Sequence, residues 1–510
     1  MRGKSLMFQG TGSSVGKSML CTAVLRILHQ DGWKVAPFKA QNMALNSYAT
    51  SEGLEMGRAQ VTQAEAACIE PSVKMNPILL KPTSDRRSQV VVGGKPIGTL
   101  TAMEYEEYKP NLRKFVKETY DALESEVDCV VIEGAGSPAE INLHAGDLVN
   151  MAMAKAADAP VILIGDINPG GVFASVYGTV KLLPEDEQKM IKGIVINKFR
   201  GDVKILEPGL DMLEELLGIP VIGVIPFMDV DIEDEDSVTE RFNRQYGGES
   251  VRVAVVHIPH ISNFTDFNIL ESEADVSVKY VKSASDIKDA DIVMIPGTKN
   301  TIEDLNWMKQ RGIADEIIRF ARKGGMVVGI CGGYQMLGER LFDPYYTESR
   351  IPEIAGLGLL DLTCTFENEK TTTQSRGLIR SDAGWLSELN GVLVDGYEIH
   401  MGVNEYGPDC KPFLYLNGRE HPDGVSNSEG NVMGTYLHGL FDTGAFGRAL
   451  INKVKKEKGI AVSDSDILTM EQFRERELNK AADIVRANLD MESVYTIIKG
   501  GDAPLGRWKE

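Results

Sequence analysis

Two short stretches of the chain carry residues whose types and spacing suit bond-making chemistry. The first is Gly10-Thr11-Gly12-Ser13-Ser14-Val15-Gly16-Lys17-Ser18, between an apolar run and a helical pattern. Glycines such as Gly12 and Gly16 let a backbone wrap so that its N–H groups point inward at phosphate oxygens. A helix starting directly after the loop adds the positive end of its dipole. Lys17 then reaches the β- and γ-phosphates of a nucleotide, and the Ser18 hydroxyl is a ligand for Mg²⁺. The first glycine stands six positions before Gly16, one more than the common spacing.

The second stretch is Val327–Ile330 followed by Cys331-Gly332-Gly333-Tyr334-Gln335. A thiol on a tight strand-to-helix turn needs small neighbours, and the helix behind it favours the thiolate and offers N–H groups to an oxyanion. Cys21 and Cys68 lie in helical patterns and Cys129 opens an apolar strand, so these read as packing cysteines. The thiol needs a base. His438, where an apolar run ends at His-Gly, is the preferred candidate and His400 in GYEIHMG the rival; His257 and His260 belong to a strand and the loop after it.

Further candidates end apolar strands. Glu133 in VVIEGAG and Asp166 in VILIGD sit where an open parallel sheet binds ligands, and Mg²⁺ takes only one or two protein carboxylates. For Glu133 the metal role is preferred to a solvated strand end. For Asp166, helix capping in DINPGG competes evenly with it. Lys39 follows another strand end beside the loop.

The elements that must position these groups are of one class. SLMFQG, KVAPFK, CVVIEGAG, APVILIGD, IKGIVINK and PVIGVIP read as buried strands with helical patterns between several of them, the signature of a doubly wound parallel sheet. VRVAVVHI, DIVMIPG and GGMVVGIC start a second series. The expected fold is α/β in two domains, each a mostly parallel sheet flanked by helices. Residues 1–230 form the first, 231–250 an acidic and polar linker, and 251–510 the second, with C-terminal helices packed on it.

Composition narrows the function classes. The net charge of −20 disfavours nonspecific nucleic-acid binding, which needs surplus Lys and Arg. The six cysteines contain no CxxC pair, which argues against a disulfide framework or structural zinc and fits a reducing compartment. No apolar run approaches the ~20 residues of a membrane helix, and the N-terminal segment lacks a signal-peptide core. A cytoplasmic protein with small-molecule partners is expected, and a homo-oligomer is compatible with it.

The first domain resembles dethiobiotin synthetase-like ATPases, which share the stretched GT…VGK loop, and the second resembles class I (triad) glutamine amidotransferases. Together, PFKAQNMALNSY, MGRAQVTQAEAA, NPILLKPTSD, IEGAGSPAEINL, GDINPGGVFAS, INKFRGD, PHISNFTDF, PGTKNT, GICGGYQMLG and GYEIHMG resemble, in order, the cobyric acid synthases of cobalamin biosynthesis. The resemblance implies ATP- and glutamine-dependent amidation of the b, d, e and g carboxylates of adenosylcobyrinic acid a,c-diamide. It assigns Cys331 and His438 to glutamine hydrolysis, Gly12, Gly16, Lys17, Ser18 and Lys39 to ATP, Ser18 and Glu133 to Mg²⁺, and Asn197 to adenine. Lys39, Lys81, Arg86, Arg87 and Arg200 would give a polyanionic corrinoid a local positive rim.

In one respect the chain departs from the wider amidotransferase pattern. Triad enzymes place a Glu two residues after the histidine, where this chain has Leu440. Cobyric acid synthases share that departure, which leaves open what orients the imidazole. The alternative readings are a cobyrinic acid a,c-diamide synthase, which amidates two other carboxylates, and a lipid II amidating enzyme, whose family parts look different. From another class comes an ATPase switch with a non-catalytic glutaminase-like domain. Switch ATPases carry an extra lysine early in the loop, which GTGSSVGKS lacks.

Overall fold

The computed structural model describes residues 3–84, 87–142, 144–232, 250–273, 275–419, 421–462, 468–506 and 508. It divides into two compact units. The first comprises Met1–Ala44, Met56–Glu235 and Arg474–Glu510, and the second Leu45–Glu55 and Asp236–Phe473.

In the first unit the six apolar runs form one sheet: β1 (Lys4–Gly10), β2 (Val35–Phe38), β3 (Cys129–Glu133), β4 (Val161–Asp166), β5 (Ile191–Phe199) and β6 (Val221–Pro226). Their order is β6-β5-β4-β1-β3-β2, all parallel. Helices cover the sheet, so strand side chains are apolar on both faces rather than alternating. Phe8 pairs with Glu133 and Asp166 with Asn197, so these groups share the C-terminal edge with the loop that follows β1. That loop feeds α1 (Lys17–Gln30). A second helix, α2 (Arg58–Ala66), carries the MGRAQVTQAEAA block.

The C-terminal helices depart from the expected domain boundary. Leu478, Ala481, Val485, Leu489 and Ile497 join Leu6, Phe8, Val24, Ile162 and Ile222 in the core of the first unit. Arg26 bonds Glu475 and, at 3.0 Å, Asn479; Trp33 stacks on Tyr495; and the Asp490 N–H donates to the Ile222 carbonyl at 2.8 Å. The segment Leu45–Glu55 makes the opposite exchange and belongs to the second unit. An amphipathic pattern announces that one face is buried, but not against which partner. Most of the acidic linker, residues 233–249, lies outside the described residues.

The second unit is built on β7 (Val251–Val256), β8 (Val276–Val281), β9 (Ile292–Ile295), β10 (Met326–Ile330), β11 (Leu362–Ile379), β12 (Leu393–Tyr406) and β13 (Val432–Thr435). The order β8-β7-β9-β10-β13 is parallel. Beyond β13 the sheet continues through short antiparallel strands to the long β11–β12 hairpin. β10 ends at Ile330, and Cys331 leads into the short helix α3 (Gly332–Leu337). Among the described residues, no helix is long and apolar enough to cross a membrane.

Candidate functional site

In the first unit the loop between β1 and α1 is pinned from several sides. Gly16 has φ +99°, and a Cβ there would stand 2.1 Å from Asn197 Nδ2, so the position needs glycine. Asn197 Nδ2 donates to the Val15 carbonyl at 2.8 Å, while its buried Oδ1 has no partner. The Lys17 ammonium donates to the carbonyls of Gly12 at 2.8 Å and Gly136 at 3.1 Å. It therefore sits at the mouth of the loop, where a cation meets phosphate.

Glu133 is the hub below it. Its Oε1 accepts from Ser18 Oγ at 2.7 Å and Lys39 Nζ at 2.9 Å, and its Oε2 from Gln63 Nε2 at 2.5 Å. Adjacent hydroxyl and carboxylate oxygens are hard donors of the kind that Mg²⁺ takes beside phosphate oxygens. Asp166 has a different setting: its Oδ1 accepts the Asn168 N–H at 2.8 Å in the turn, and its Oδ2 pairs with Lys198 at 2.9 Å. Asp166 thus caps the turn and not the helix expected of it: Val172–Leu182 starts at Gly171 with no side-chain cap.

Of the other basic candidates, Lys81 is buried, Arg87 donates to the Thr99 carbonyl at 3.1 Å and Arg200 lies 3.8 Å over the Phe227 ring. Arg86 lies outside the described residues. β1 and α2 add buried amide groups to this region. Gln9 Oε1, Gln60 Nε2 and Gln63 Oε1 are buried without partners, and each such atom costs about 1–3 kcal/mol unless something engages it.

In the second unit Cys331 has φ +52° and ψ −109°, a strained backbone for a residue with a Cβ. The Cys331 N–H donates to the Thr435 carbonyl at 2.9 Å, tying the turn to β13. A Cβ on Gly333 would lie 2.0 Å from the Ile295 carbonyl oxygen, so the turn can press against β9 only with glycine there. The Cys331 N–H is engaged, whereas the first turn of α3 offers N–H groups without an intrahelical acceptor to an oxyanion.

His438 follows β13 by three residues and is buried. Its Nδ1 lies 2.8 Å from Asp266 Oδ2, and Asp266 Oδ1 accepts the Gly439 N–H at 2.9 Å. A carboxylate only accepts, so Nδ1 carries the proton and Nε2 is left for exchange. Burial alone would lower the imidazole pKa; the charges of Asp266 and Cys331, and hydrogen bonds to both, raise it to about 10. A thiol beside an imidazole held in one tautomer by a carboxylate can attack a carbonyl carbon and return a proton to the leaving group.

Of the rival histidines, His400 keeps a buried Nε2 without a hydrogen-bond partner, 3.5 Å from Glu398 Oε2. His400 Nδ1 donates to the Gly402 carbonyl at 2.9 Å and its ring stacks on Tyr436. His260 pairs with Asp304 at 2.8 Å. Asp266 is the residue that sequence reasoning missed. It lies inside PHISNFTDF, on the short 3₁₀ turn Phe264–Phe267, and an acid among aromatic residues was the available signal.

Two family profiles match in succession: the CobQ/CobB/MinD/ParA nucleotide binding domain over residues 6–238, and the CobB/CobQ-like glutamine amidotransferase domain over residues 252–446. Curated relatives align along nearly the whole chain. The cobyric acid synthase of Thermoanaerobacter sp. (strain X514) is 53% identical over 500 residues, 97% of this chain and 98% of that one. That of Alkaliphilus metalliredigens (strain QYMF) is 53% identical over 502 residues, 97% of this chain and 100% of that one. Among solved structures, a glutamine amidotransferase matches at a TM-score of 0.30 and 16% identity, covering 41% of this chain and 99% of that one.

Proposed function

We propose, since this chain belongs to the cobyric acid synthase family, that its two units run two half-reactions joined by ammonia. In the second unit, the Cys331 thiolate attacks the side-chain amide carbon of glutamine. The proton on His438 Nε2 passes to the departing nitrogen, which leaves as ammonia and a glutamyl thioester remains. His438 then takes a proton from water, the hydroxide attacks the thioester carbon, and glutamate departs as the thiol is restored. Asp266 holds Nδ1–H throughout and compensates the imidazolium charge.

In the first unit, the γ-phosphoryl group of ATP passes to a carboxylate oxygen of the acceptor and ADP is released. Ammonia attacks the acyl carbon, inorganic phosphate leaves, and an amide replaces the acid. Loop N–H groups and Lys17 stabilise charge on the transferring phosphoryl oxygens. Ser18 and Glu133 would hold Mg²⁺, which when bound neutralises phosphate charge. The unpartnered Asn197 Oδ1 suits the exocyclic amino group of adenine. The acceptor is adenosylcobyrinic acid a,c-diamide, amidated at its b, d, e and g carboxylates, and the unpaired Gln60 donor is of the kind that a carboxylate would engage.

The observation that carries this reading is the seating of His438 on Asp266, Nδ1 to Oδ2 at 2.8 Å, with the charge of Cys331 among the causes that raise its pKa. Incubation with cobyrinic acid a,c-diamide, glutamine and Mg-ATP, followed by mass spectrometry of the corrinoid, tests it. Four successive exchanges of OH for NH₂ are expected. Amidation of cobyrinic acid to its diamide, with the diamide itself untouched, would point to the sister reaction instead.

A further inference from the structure

The segment Leu45–Glu55 belongs to the second unit, although the residues on either side of it in sequence belong to the first. Within the second unit it reaches the surroundings of His438 by two routes. In one, Asn46 Oδ1 accepts the Asn263 N–H at 2.8 Å and the Ser47 N–H donates to Asn263 Oδ1 at 3.0 Å. In the other, Tyr48 packs on Tyr397 with ring centroids 5.1 Å apart, and Tyr397 stacks on the His438 imidazole at 5.2 Å.

The Ser47 N–H is a donor, so Asn263 must turn its oxygen toward it, and the orientation of the amide is settled. Asn263 Nδ2 then faces His438 Nε2 at 3.3 Å. With Nδ1 committed to Asp266, Nε2 is the nitrogen that must exchange a proton with Cys331. A neutral Nε2 offers its lone pair to the amide, whereas a protonated Nε2 meets it donor against donor. The groups facing the imidazole are therefore divided. Asp266 and Cys331 favour the imidazolium–thiolate pair, Asn263 opposes it, and Tyr397 covers the ring face.

We propose that Asn263 is a positioning residue that restrains the glutamine-hydrolysing centre, and that Leu45–Glu55 sets the restraint by holding its amide. This rests on the reading of Cys331 and His438 as the hydrolytic pair. When Asn46 and Ser47 shift, the amide turns away, the protonated Nε2 no longer faces a donor, the imidazolium–thiolate pair is favoured further, and hydrolysis rises. The segment follows the strand Gln41–Met43 directly in sequence, so ligand binding in the first unit has a covalent route to it.

Two variants test the restraint. Asn263→Gly removes the amide and suits the backbone φ of +52°. Asn46→Ala removes the acceptor of the Asn263 backbone N–H, so that the segment holds the residue through the Ser47 N–H alone, without altering a neighbour of the imidazole. Glutamine hydrolysis is measured without acceptor or ATP, together with the pH profile of Cys331 alkylation by iodoacetamide, using Cys331→Ala as the blank. Both variants are expected to raise hydrolysis roughly two- to tenfold, the span that one hydrogen bond supports, and to move alkylation to lower pH. Unchanged or reduced hydrolysis with an unmoved alkylation profile in both variants would overturn the restraint. Retained hydrolysis in Cys331→Ala would instead remove the reading on which it rests.

Discussion

His438 is enclosed, yet its setting favours the charged ring, because Asp266 and Cys331 more than offset the burial. Asp266→Asn keeps the shape and removes the charge that fixes the tautomer. Glutamine hydrolysis, read as glutamate release, should fall on the order of 10²- to 10⁴-fold, while amidation with free ammonia continues. The same pair leaves a mark on stability. The folded pKa of about 10 lies above the ordinary 6.5, so the native state holds an extra proton between those values. That contribution is complete below the lower value and is lost as pH rises through the higher. Urea midpoints should therefore decline with rising pH more steeply in the native chain than in His438→Asn. At this scale Cys331 and His438 were legible, because glycines beside them betray a turn. Asp266 was not, because it lies 172 positions before the histidine and only the fold joins them. Leu440, where wider relatives place a Glu, is buried in the apolar core, so Leu440→Glu should destabilise the unit rather than orient the imidazole.

The turn after β10 works because three elements press together at Cys331. Gly333→Ala would drive a methyl group into the Ile295 carbonyl, and β9 is too well packed to retreat. A stability loss of roughly 1–3 kcal/mol is expected, measured by urea denaturation, with glutamine hydrolysis lost in parallel. The strands of the first sheet were readable since helices cover both faces and leave continuous apolar runs ending in Gly, Asp or Asn. The β11–β12 hairpin was not. Residues 367–376, ENEKTTTQSR, are polar and mostly half-buried or exposed, which reads as a loop. Pairing with β12 supplies backbone hydrogen bonds to Thr371–Arg376, beyond a register shift that begins after Phe366.

Across the whole chain, ammonia is the only intermediate that the proposed half-reactions share, and two substitutions should separate them. Cys331→Ala should abolish amidation from glutamine and keep it from concentrated ammonia. Lys17→Ala should abolish both, since phosphoryl transfer precedes nitrogen capture. Amidation rates measured with each nitrogen source distinguish these outcomes. Deleting Arg474–Glu510 should have a third signature. It strips Leu478, Ala481, Val485, Leu489 and Ile497 from the first core, so nucleotide binding should fail, and limited proteolysis should attack the first unit before the second.

That shared core also has a consequence for how the chain is made. A ribosome releases the nucleotide-binding strands first, but the helix that completes their packing follows only after the bulk of the second unit. At roughly 5–20 residues per second, the nascent sheet waits on the order of ten seconds or more with an apolar face uncovered. Splitting the gene at the acidic linker would leave it in that condition permanently.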